Sequence, residues 1–234
     1  MNLTNYVVWK GKDSREIKGL LICDLPPITK PLIRTKETVI DGVDGSLIEE
    51  LGYASYDKSI AVALKVGADV DTIIEYFTGN GEITFSNEPY KYYKARIIKD
   101  IDYKRLLRYR TATITFRVQP FKYDRAETEI VSTPESHSMV VENIGNHTAK
   151  PIITIKGTGV IELSLNGTVI CQYTFPEGDD TVIFDSEKQD AYWGSSLKNR
   201  AMTGEFPILE KGNNVLSWSS TVESVRIKHY SRWL

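Results

Sequence analysis

Cysteine and histidine are scarce in this chain of 234 residues, which has two cysteines, Cys23 and Cys171, and three histidines. Two widely separated cysteines do not build a disulfide framework, and no histidine lies at metal-site spacing from a cysteine or carboxylate. We therefore expect both thiols to be buried, and we expect no cofactor and no metal.

Long apolar runs are also missing. No run approaches the roughly 20 residues of a membrane span, and the first ten residues lack the basic and apolar regions of a secretory signal. We expect no membrane partner, and a chain that either folds in a reducing cytoplasm or is already mature. The formal net charge of −2 gives no general reason to expect specific binding of nucleic acid.

Catalytic patterns are absent as well. The adjacent carboxylates Glu49 and Glu50 would point to opposite faces of a strand, and Asp179 and Asp180 suit a solvated loop. Residues 41–46 begin like a calcium loop but lack its further oxygen ligands and closing glutamate, so a turn explains them better. No glycine-rich phosphate loop joins a strand to a helix. The sequence therefore predicts a protein that is not an enzyme.

Short strands are the main positive signal in the second half. Residues 160–165 and 168–174 are rich in β-branched residues and are separated by Asn166 and Gly167, the pair that favours a type I′ turn. A hairpin cannot bury its apolar face alone, so it needs further strands around it. Candidates lie at 181–185, 191–195, 215–219 and 222–229. The pattern predicts a C-terminal β-sandwich.

The first half combines strands with one helix. Residues 59–66 alternate apolar and polar, whereas Val70, Ile73, Ile74 and Phe77 follow the helical period, with Asp69 as N-cap and Gly79 at the end. Further strands are expected at 4–10, 17–23, 34–40, 82–85, 92–99 and 111–118, the first two forming an opening pair. We predict a mainly β domain over residues 1–132, a seam around 127–137, and a second domain over 138–234.

A long connection over residues 41–57 separates two of these strands. It carries the apolar or aromatic side chains of Leu47, Ile48, Leu51, Tyr53 and Tyr56. Connections of this length are usually functional, disordered or a cover for something else. These side chains could form a partner surface or fold back onto their own domain's core, and the sequence leaves both open.

Two aromatic patterns have a binding interpretation and a structural one. Residues 91–110 hold eight basic residues interleaved with tyrosines, which could stack on nucleic acid, although a solvated outer face of two strands fits better. Trp193 and Trp218 could stack on sugar rings, but tryptophans at this density more often belong to a core or its rim.

An ordered series of turn motifs in the second half resembles the C-terminal domain of distal tail proteins from long-tailed phages of Gram-positive bacteria. The motifs are Asn143-Ile-Gly-Asn146, Pro151-Ile-Ile-Thr-Ile-Lys-Gly157, Leu165-Asn-Gly167, Asp185-Ser-Glu187, Gly204-Glu-Phe-Pro207 and Leu209-Glu-Lys-Gly-Asn-Asn214. The first half resembles the same family more loosely, through Asp44-Gly45, the alternating strand, the single helix and Pro120-Phe121.

This resemblance implies an N-terminal β-barrel-like domain that assembles into a hexameric ring and a C-terminal galectin-like β-sandwich. Such a protein would be a baseplate hub at the phage tail tip, assembled in the bacterial cytoplasm. Its partners would be copies of itself, the major tail protein of the tail tube, a tail-associated tip protein and receptor-binding proteins. On this interpretation Leu47, Ile48, Leu51, Tyr53 and Tyr56 contact neighbouring subunits.

A carbohydrate-binding module is the alternative, with Trp193 or Trp218 as the sugar contact. True galectins place His, Asn, Arg, Trp and Glu in a fixed set along adjacent strands, and this chain lacks that set. Fold and function therefore have to be argued separately.

Overall fold

The computed structural model describes residues 5–99, 101, 108–132 and 135–234. The chain divides into two compact units, one made of the chain through Tyr123 together with Leu234, the other of Asp124–Trp233. The division lies earlier than the predicted seam because Thr128–Val131 is a strand of the second unit.

The elements of the first unit whose bounds are described are nine strands, one α-helix and a 3₁₀ turn. The elements are β1 (Val7–Trp9), β2 (Lys12–Asp13), a 3₁₀ turn (Ser14–Glu16), β3 (Leu20–Asp24), β4 (Ile33–Val39), β5 (Ser46–Tyr53), β6 (Tyr56–Leu64), α1 (Val70–Tyr76), β7 (Asn80–Phe85), β8 (Lys91–Ile97) and β9 (Thr111–Asp124).

Seven of these strands form one sheet in the order β2-β1-β7-β8-β9-β6-β3. The predicted opening pair is wrong, because β1 pairs with β2 and β7, whereas β3 pairs with β6. The long pairing of β6 with β9 places Ile60 opposite Ile114, and both side chains are buried. Alternation along these strands therefore buries one face of the sheet.

Helix α1 covers the buried face of this sheet. Its N-cap Asp69 accepts a hydrogen bond from the Asp71 amide at 3.2 Å, as the sequence predicts. Ile73 and Phe77 are buried in the same apolar cluster as the sheet. The ring of Phe116 lies near the middle of this cluster, with its centroid 5.2 Å from that of Trp9 and 6.3 Å from that of Phe77.

The second unit is a β-sandwich of two antiparallel sheets. Its elements are β10 (Thr128–Val131), β11 (Ser138–Asn143), β12 (Ile152–Gly157), β13 (Val160–Leu165), β14 (Thr168–Thr174), β15 (Thr181–Asp185), β16 (Asp190–Trp193), β17 (Ser196–Leu197), a 3₁₀ turn (Asn199–Ala201), β18 (Met202–Gly204), β19 (Gly212–Trp218), β20 (Val222–His229) and β21 (Arg232–Trp233). The sheet orders are β10-β20-β12-β15-β16-β17 and β11-β19-β13-β14-β18.

The predicted hairpin lies within the five-stranded sheet. Asn166 and Gly167 join β13 to β14 with φ values of +51° and +84°, as a type I′ turn requires. Inward-facing residues such as Ile161, Leu163 and Tyr173 are buried in the core between the sheets. The predicted mainly β class, with one helix in the first domain and a sandwich in the second, is confirmed.

The asparagine and glycine motifs of the second unit fix its turns. The Asn143 side-chain amide donates to the carbonyls of His147 and Leu209, and its Oδ1 accepts from the Gly145 amide. Gly204 has φ +101°, and a Cβ there would lie 2.3 Å from the carbonyl oxygen of Ile170. These residues satisfy buried backbone groups or permit close strand contact, so their role is structural.

Candidate interaction surface

The connection over residues 41–57 is not a loop. Strands β4 and β5 pair as a separate two-stranded antiparallel sheet, which we call the ribbon. Residues 40–45 form its turn, where Gly42 and Gly45 have φ values of +84° and +89°. The aspartate and glycine residues that resemble a calcium loop therefore make a turn.

The ribbon exposes apolar side chains on both of its faces. Leu47 lies opposite Thr38, and the next residue, Ile48, lies opposite Glu37. Since cross-strand partners share a face and successive residues alternate, Leu47 and Ile48 point to opposite faces. Their exposed fractions are 65% and 64%, and Leu51 is 46% exposed. Neither face of the ribbon is covered by the rest of the described first unit at these positions.

The two tyrosines of the predicted interface behave differently. The Tyr53 ring packs against that of Phe121 with their centroids 5.7 Å apart, and Tyr56 packs against the core of the first unit. The structure therefore separates the five candidates into three exposed ribbon residues and two residues that contact their own domain.

Sequence reasoning missed other apolar residues of the ribbon and its turn. Val39, Ile40 and Val43 are 74%, 50% and 60% exposed. Their signal in the sequence is a second apolar cluster, with Val39 and Ile40 before the turn and Val43 between Gly42 and Gly45. It becomes meaningful only once β4 and β5 are known to pair.

The two candidate sugar-binding tryptophans lie in unlike environments. Trp193 ends β16 and is 45% exposed, whereas Trp218 is 7% exposed and belongs to the core of the sandwich. The hypothesis that Trp218 contacts sugar is wrong, because its ring packs against apolar side chains and presents no open face. Trp193 keeps an accessible ring.

The basic, tyrosine-rich segment is only partly described, since residues 100 and 102–107, among them Tyr103, lie outside the described residues. Tyr92 and Tyr93 are buried, so their rings offer no platform for stacking bases. The Lys94 ammonium lies 4.8 Å from the centroid of the Tyr123 ring. Lys94 also lies opposite Glu82 on β7. These contacts fit the outer-face interpretation.

Within the described residues, no group of three or more His, Cys, Asp or Glu side chains could hold a metal ion. A groove of about 300 Å³ beside α1 is lined by Trp9, Lys10, Lys12, Thr72, Glu75 and Tyr76. His229 is buried, and burial lowers its pKa below the ordinary histidine value.

No helix in the described part of the chain is long and apolar enough to span a membrane.

The expectation of two buried thiols is half wrong. Cys171 is buried in the sandwich, and burial raises its pKa to about 12. Cys23 is exposed, because residues 20–24 alternate and Cys23 takes the outward face together with Leu21.

The fold matches that of solved phage proteins. No protein-family model matches the sequence, and no curated protein matches it. Among solved structures, the chain is similar to the phage SPP1 Dit (gp 19.1) protein, a hub of the adsorption apparatus in Gram-positive infecting phages. The TM-score is 0.74 at 17% identity, covering 98% of this chain and 99% of the SPP1 protein. A chain of the phage p2 baseplate, in its activated conformation with Ca, gives 0.50 at 9% identity over 97% of both chains.

Proposed function

We propose that this protein is a distal tail protein, a structural subunit whose copies form the hub of a phage baseplate. One observation carries the proposal: the structural similarity to the SPP1 hub protein extends through both domains and covers nearly the whole of each chain. A shared fold over one domain would say little about function, but the same two domains in the same order favour the same architecture.

In this proposal six copies close into a ring at the end of the tail tube. The ring joins the tube to a tail-associated tip protein, and its second domains support receptor-binding proteins. The protein acts by binding and positioning, not by catalysis, and it functions in the virion. A closed ring needs a heterologous interface, in which one patch of each subunit meets a different patch of the next.

The ribbon supplies one side of that interface. Leu47, Ile48 and Leu51 are exposed in the single chain, and burying a large aliphatic side chain against a partner contributes about 1.5–3 kcal/mol. An exposed two-stranded ribbon with apolar residues on both faces is costly in an isolated protein, and a neighbouring subunit would remove that cost.

The test measures self-association of the full chain by sedimentation velocity over a wide concentration range. The double variant Leu47→Asp, Ile48→Asp is expected to stay monomeric where the parent forms oligomers. Val66→Asp is the matched control, because Val66 lies in the first unit outside the ribbon and is 95% exposed. Equal association of the ribbon variant and the parent would contradict this role for the ribbon.

Carbohydrate binding is the second candidate, and the accessible ring of Trp193 is the observation that favours it.

A further inference from the structure

The chain enters the ribbon through an irregular segment, residues 25–32, which we call the strap. It follows β3 and runs directly into β4 without helix or strand structure. It contains Pro26, Pro27 and Pro31, of which Pro26 and Pro31 are buried. Because proline fixes φ, the strap has fewer conformations open to it than an ordinary linker of its length.

The carbonyl groups of the strap are bound by side chains of the first unit. Lys58 Nζ donates to the Pro27 carbonyl at 2.7 Å, and Asn87 Nδ2 donates to the Pro26 carbonyl at 3.0 Å. The Tyr56 hydroxyl lies 3.4 Å from the Thr29 carbonyl, which it can reach as a weak donor. Irregular backbone normally turns its carbonyls to water, so this arrangement holds the strap against the domain.

The return strand completes the attachment. The amide of Ala54, between β5 and β6, donates to the carbonyl of Leu32 at 2.8 Å. The two chains at the base of the ribbon are therefore joined to each other as well as to the body of the unit.

Lys58 is an unusual side chain to use for this purpose, since it is only 3% exposed. In the part of the chain that the structure describes, it forms no ion pair. Its ammonium lies 5.1 Å from the centroid of the Tyr93 ring and 5.5 Å from that of Tyr56. The nearby carboxylate of Glu88 is bound by Lys122 Nζ at 2.7 Å and by the Tyr93 hydroxyl at 2.8 Å.

A buried ammonium without an ion pair costs stability that an apolar side chain of similar size would not. The hydrogen bond to the Pro27 carbonyl and the rings of Tyr93 and Tyr56 compensate for part of this cost, and the hydrogen bond to Pro27 acts directly on the strap. We propose that the strap is a preorganised hinge, in which Lys58 and Asn87 act as positioning residues that set the direction in which the ribbon leaves the domain. A ribbon that already points in the right direction loses less entropy when it docks on a neighbouring subunit. This benefit for assembly rests on the proposed function.

The test measures ribbon direction in the monomer. Nitroxide labels are attached to Val43→Cys, in the ribbon turn, and Lys18→Cys, on the body of the same unit, in a Cys23→Ser background. Buried Cys171 has a raised pKa and should resist labelling. Pulsed electron–electron resonance then gives the distribution of distances between the labels, at a dilution where sedimentation shows single chains.

The parent is expected to give one narrow distribution. Asn87→Ala and Lys58→Met should each broaden this distribution, because each variant loses one side-chain hydrogen bond to a strap carbonyl. Losing one such bond, worth about 1 kcal/mol, raises the ratio of undocked to docked strap about fivefold. The matched controls are Asn80→Ala and Lys65→Met, which make the same chemical changes at exposed positions. The controls should keep the parent's distribution.

A second readout separates positioning from general support of the fold. Lys58→Met should melt at or above the parent's temperature while its ribbon loses direction, whereas a merely structural lysine would lower the melting temperature. If Asn87→Ala and folded Lys58→Met both keep the parent's narrow distribution, the inference is overturned. If Lys58→Met does not fold, the Asn87→Ala distribution alone decides. The distances are measured in single chains, so the experiment tests the hinge even if the hub proposal fails.

Discussion

The ring of Tyr53 meets the ring of Phe121 edge-on, with centroids 5.7 Å apart and planes inclined at 76°. Tyr53 is the last residue of β5, and Phe121 lies on β9 of the main sheet. This contact links the end of the ribbon to the body of its domain, while Leu47 and Ile48 further along the ribbon stay exposed.

Removing this contact should loosen the base of the ribbon without unfolding the domain. Tyr53→Ala is expected to cost about 0.5–1.5 kcal/mol for the lost aromatic pair. Hydrogen exchange should therefore speed up in β4 and β5 and change little in β6 and β9. Tyr90→Ala is the control, because Tyr90 is 80% exposed. If the ribbon exchanges equally fast in Tyr53→Ala and Tyr90→Ala, the contact between Tyr53 and Phe121 does not stabilise the ribbon.

Gly204, the last residue of β18, should tolerate substitution less well than Gly178. Gly204→Ala combines strain at φ +101° with a clash against the Ile170 carbonyl, whereas Gly178→Ala meets strain at φ +87° in open space. We expect about 1–2 kcal/mol of destabilisation at Gly178 and about 2–5 kcal/mol at Gly204. Hydrogen exchange of the β12 and β20 amides measures the stability of the second domain. Equal losses of stability in Gly204→Ala and Gly178→Ala would show that the clash with the Ile170 carbonyl costs nothing.

Alkaline pH should strengthen the first domain. Burial lowers the pKa of Lys58 to about 8, against 10.5 for a free lysine, with Glu88 opposing the shift and Lys122 adding to it. Between these values the unfolded chain keeps a proton that the folded domain has released, so the free energy of unfolding rises with pH. The gain is at most about 3 kcal/mol. Burial also raises the pKa of Tyr76 and Tyr93, so stability should fall again above about pH 10.

Guanidinium unfolding at pH 7, 8, 9 and 10 checks this. Lys58→Met should be more stable than the parent at pH 7, and its advantage should shrink by pH 10. Lys65→Met, at an exposed position, should track the parent throughout. A constant difference between Lys58→Met and the parent would show that Lys58 does not titrate in this window.

The two tryptophans should respond to truncation in opposite ways. Trp218→Ala removes a core ring and is expected to destabilise the second domain by about 3–5 kcal/mol. Trp193→Ala should change stability by less than about 1 kcal/mol. If the protein is a structural hub, Trp193→Ala should also leave retention on cell-wall polysaccharide unchanged. Specific retention of the parent that Trp193→Ala abolishes would favour the carbohydrate-binding alternative.

Local signals in the sequence predicted much of the fold. The Asn166-Gly167 turn, the Asp69 cap and the alternation of residues 59–66 each act over a few neighbouring residues, so the chain alone carries the information. Strand β4 was predicted as residues 34–40, but β5, and with it the ribbon, was missed because its local pattern is not that of a half-buried strand. Leu47 and Ile48 are adjacent and both exposed, so β5 lacks the alternation of a half-buried strand, and Gly52 interrupts it with φ +88°.

Long-range pairing accounts for the other differences. Nothing near Leu20 or Trp9 in the sequence reveals that β3 pairs with β6 and β1 with β7. Likewise, Trp193 and Trp218 look alike as strand residues, and only their positions in the sandwich separate an exposed ring from a core ring. The strap contacts of Lys58 and Asn87 span 31 and 61 residues, beyond the reach of local patterns.

Native mass spectrometry of the concentrated full-length protein tests the central claim most directly, because it counts the copies in each assembly. The hub proposal predicts a closed species of six copies that the Leu47→Asp, Ile48→Asp variant does not form and the Val66→Asp variant does. Folded protein that stays monomeric or stops at dimers at every concentration, with the ribbon variant behaving like the parent, would contradict it.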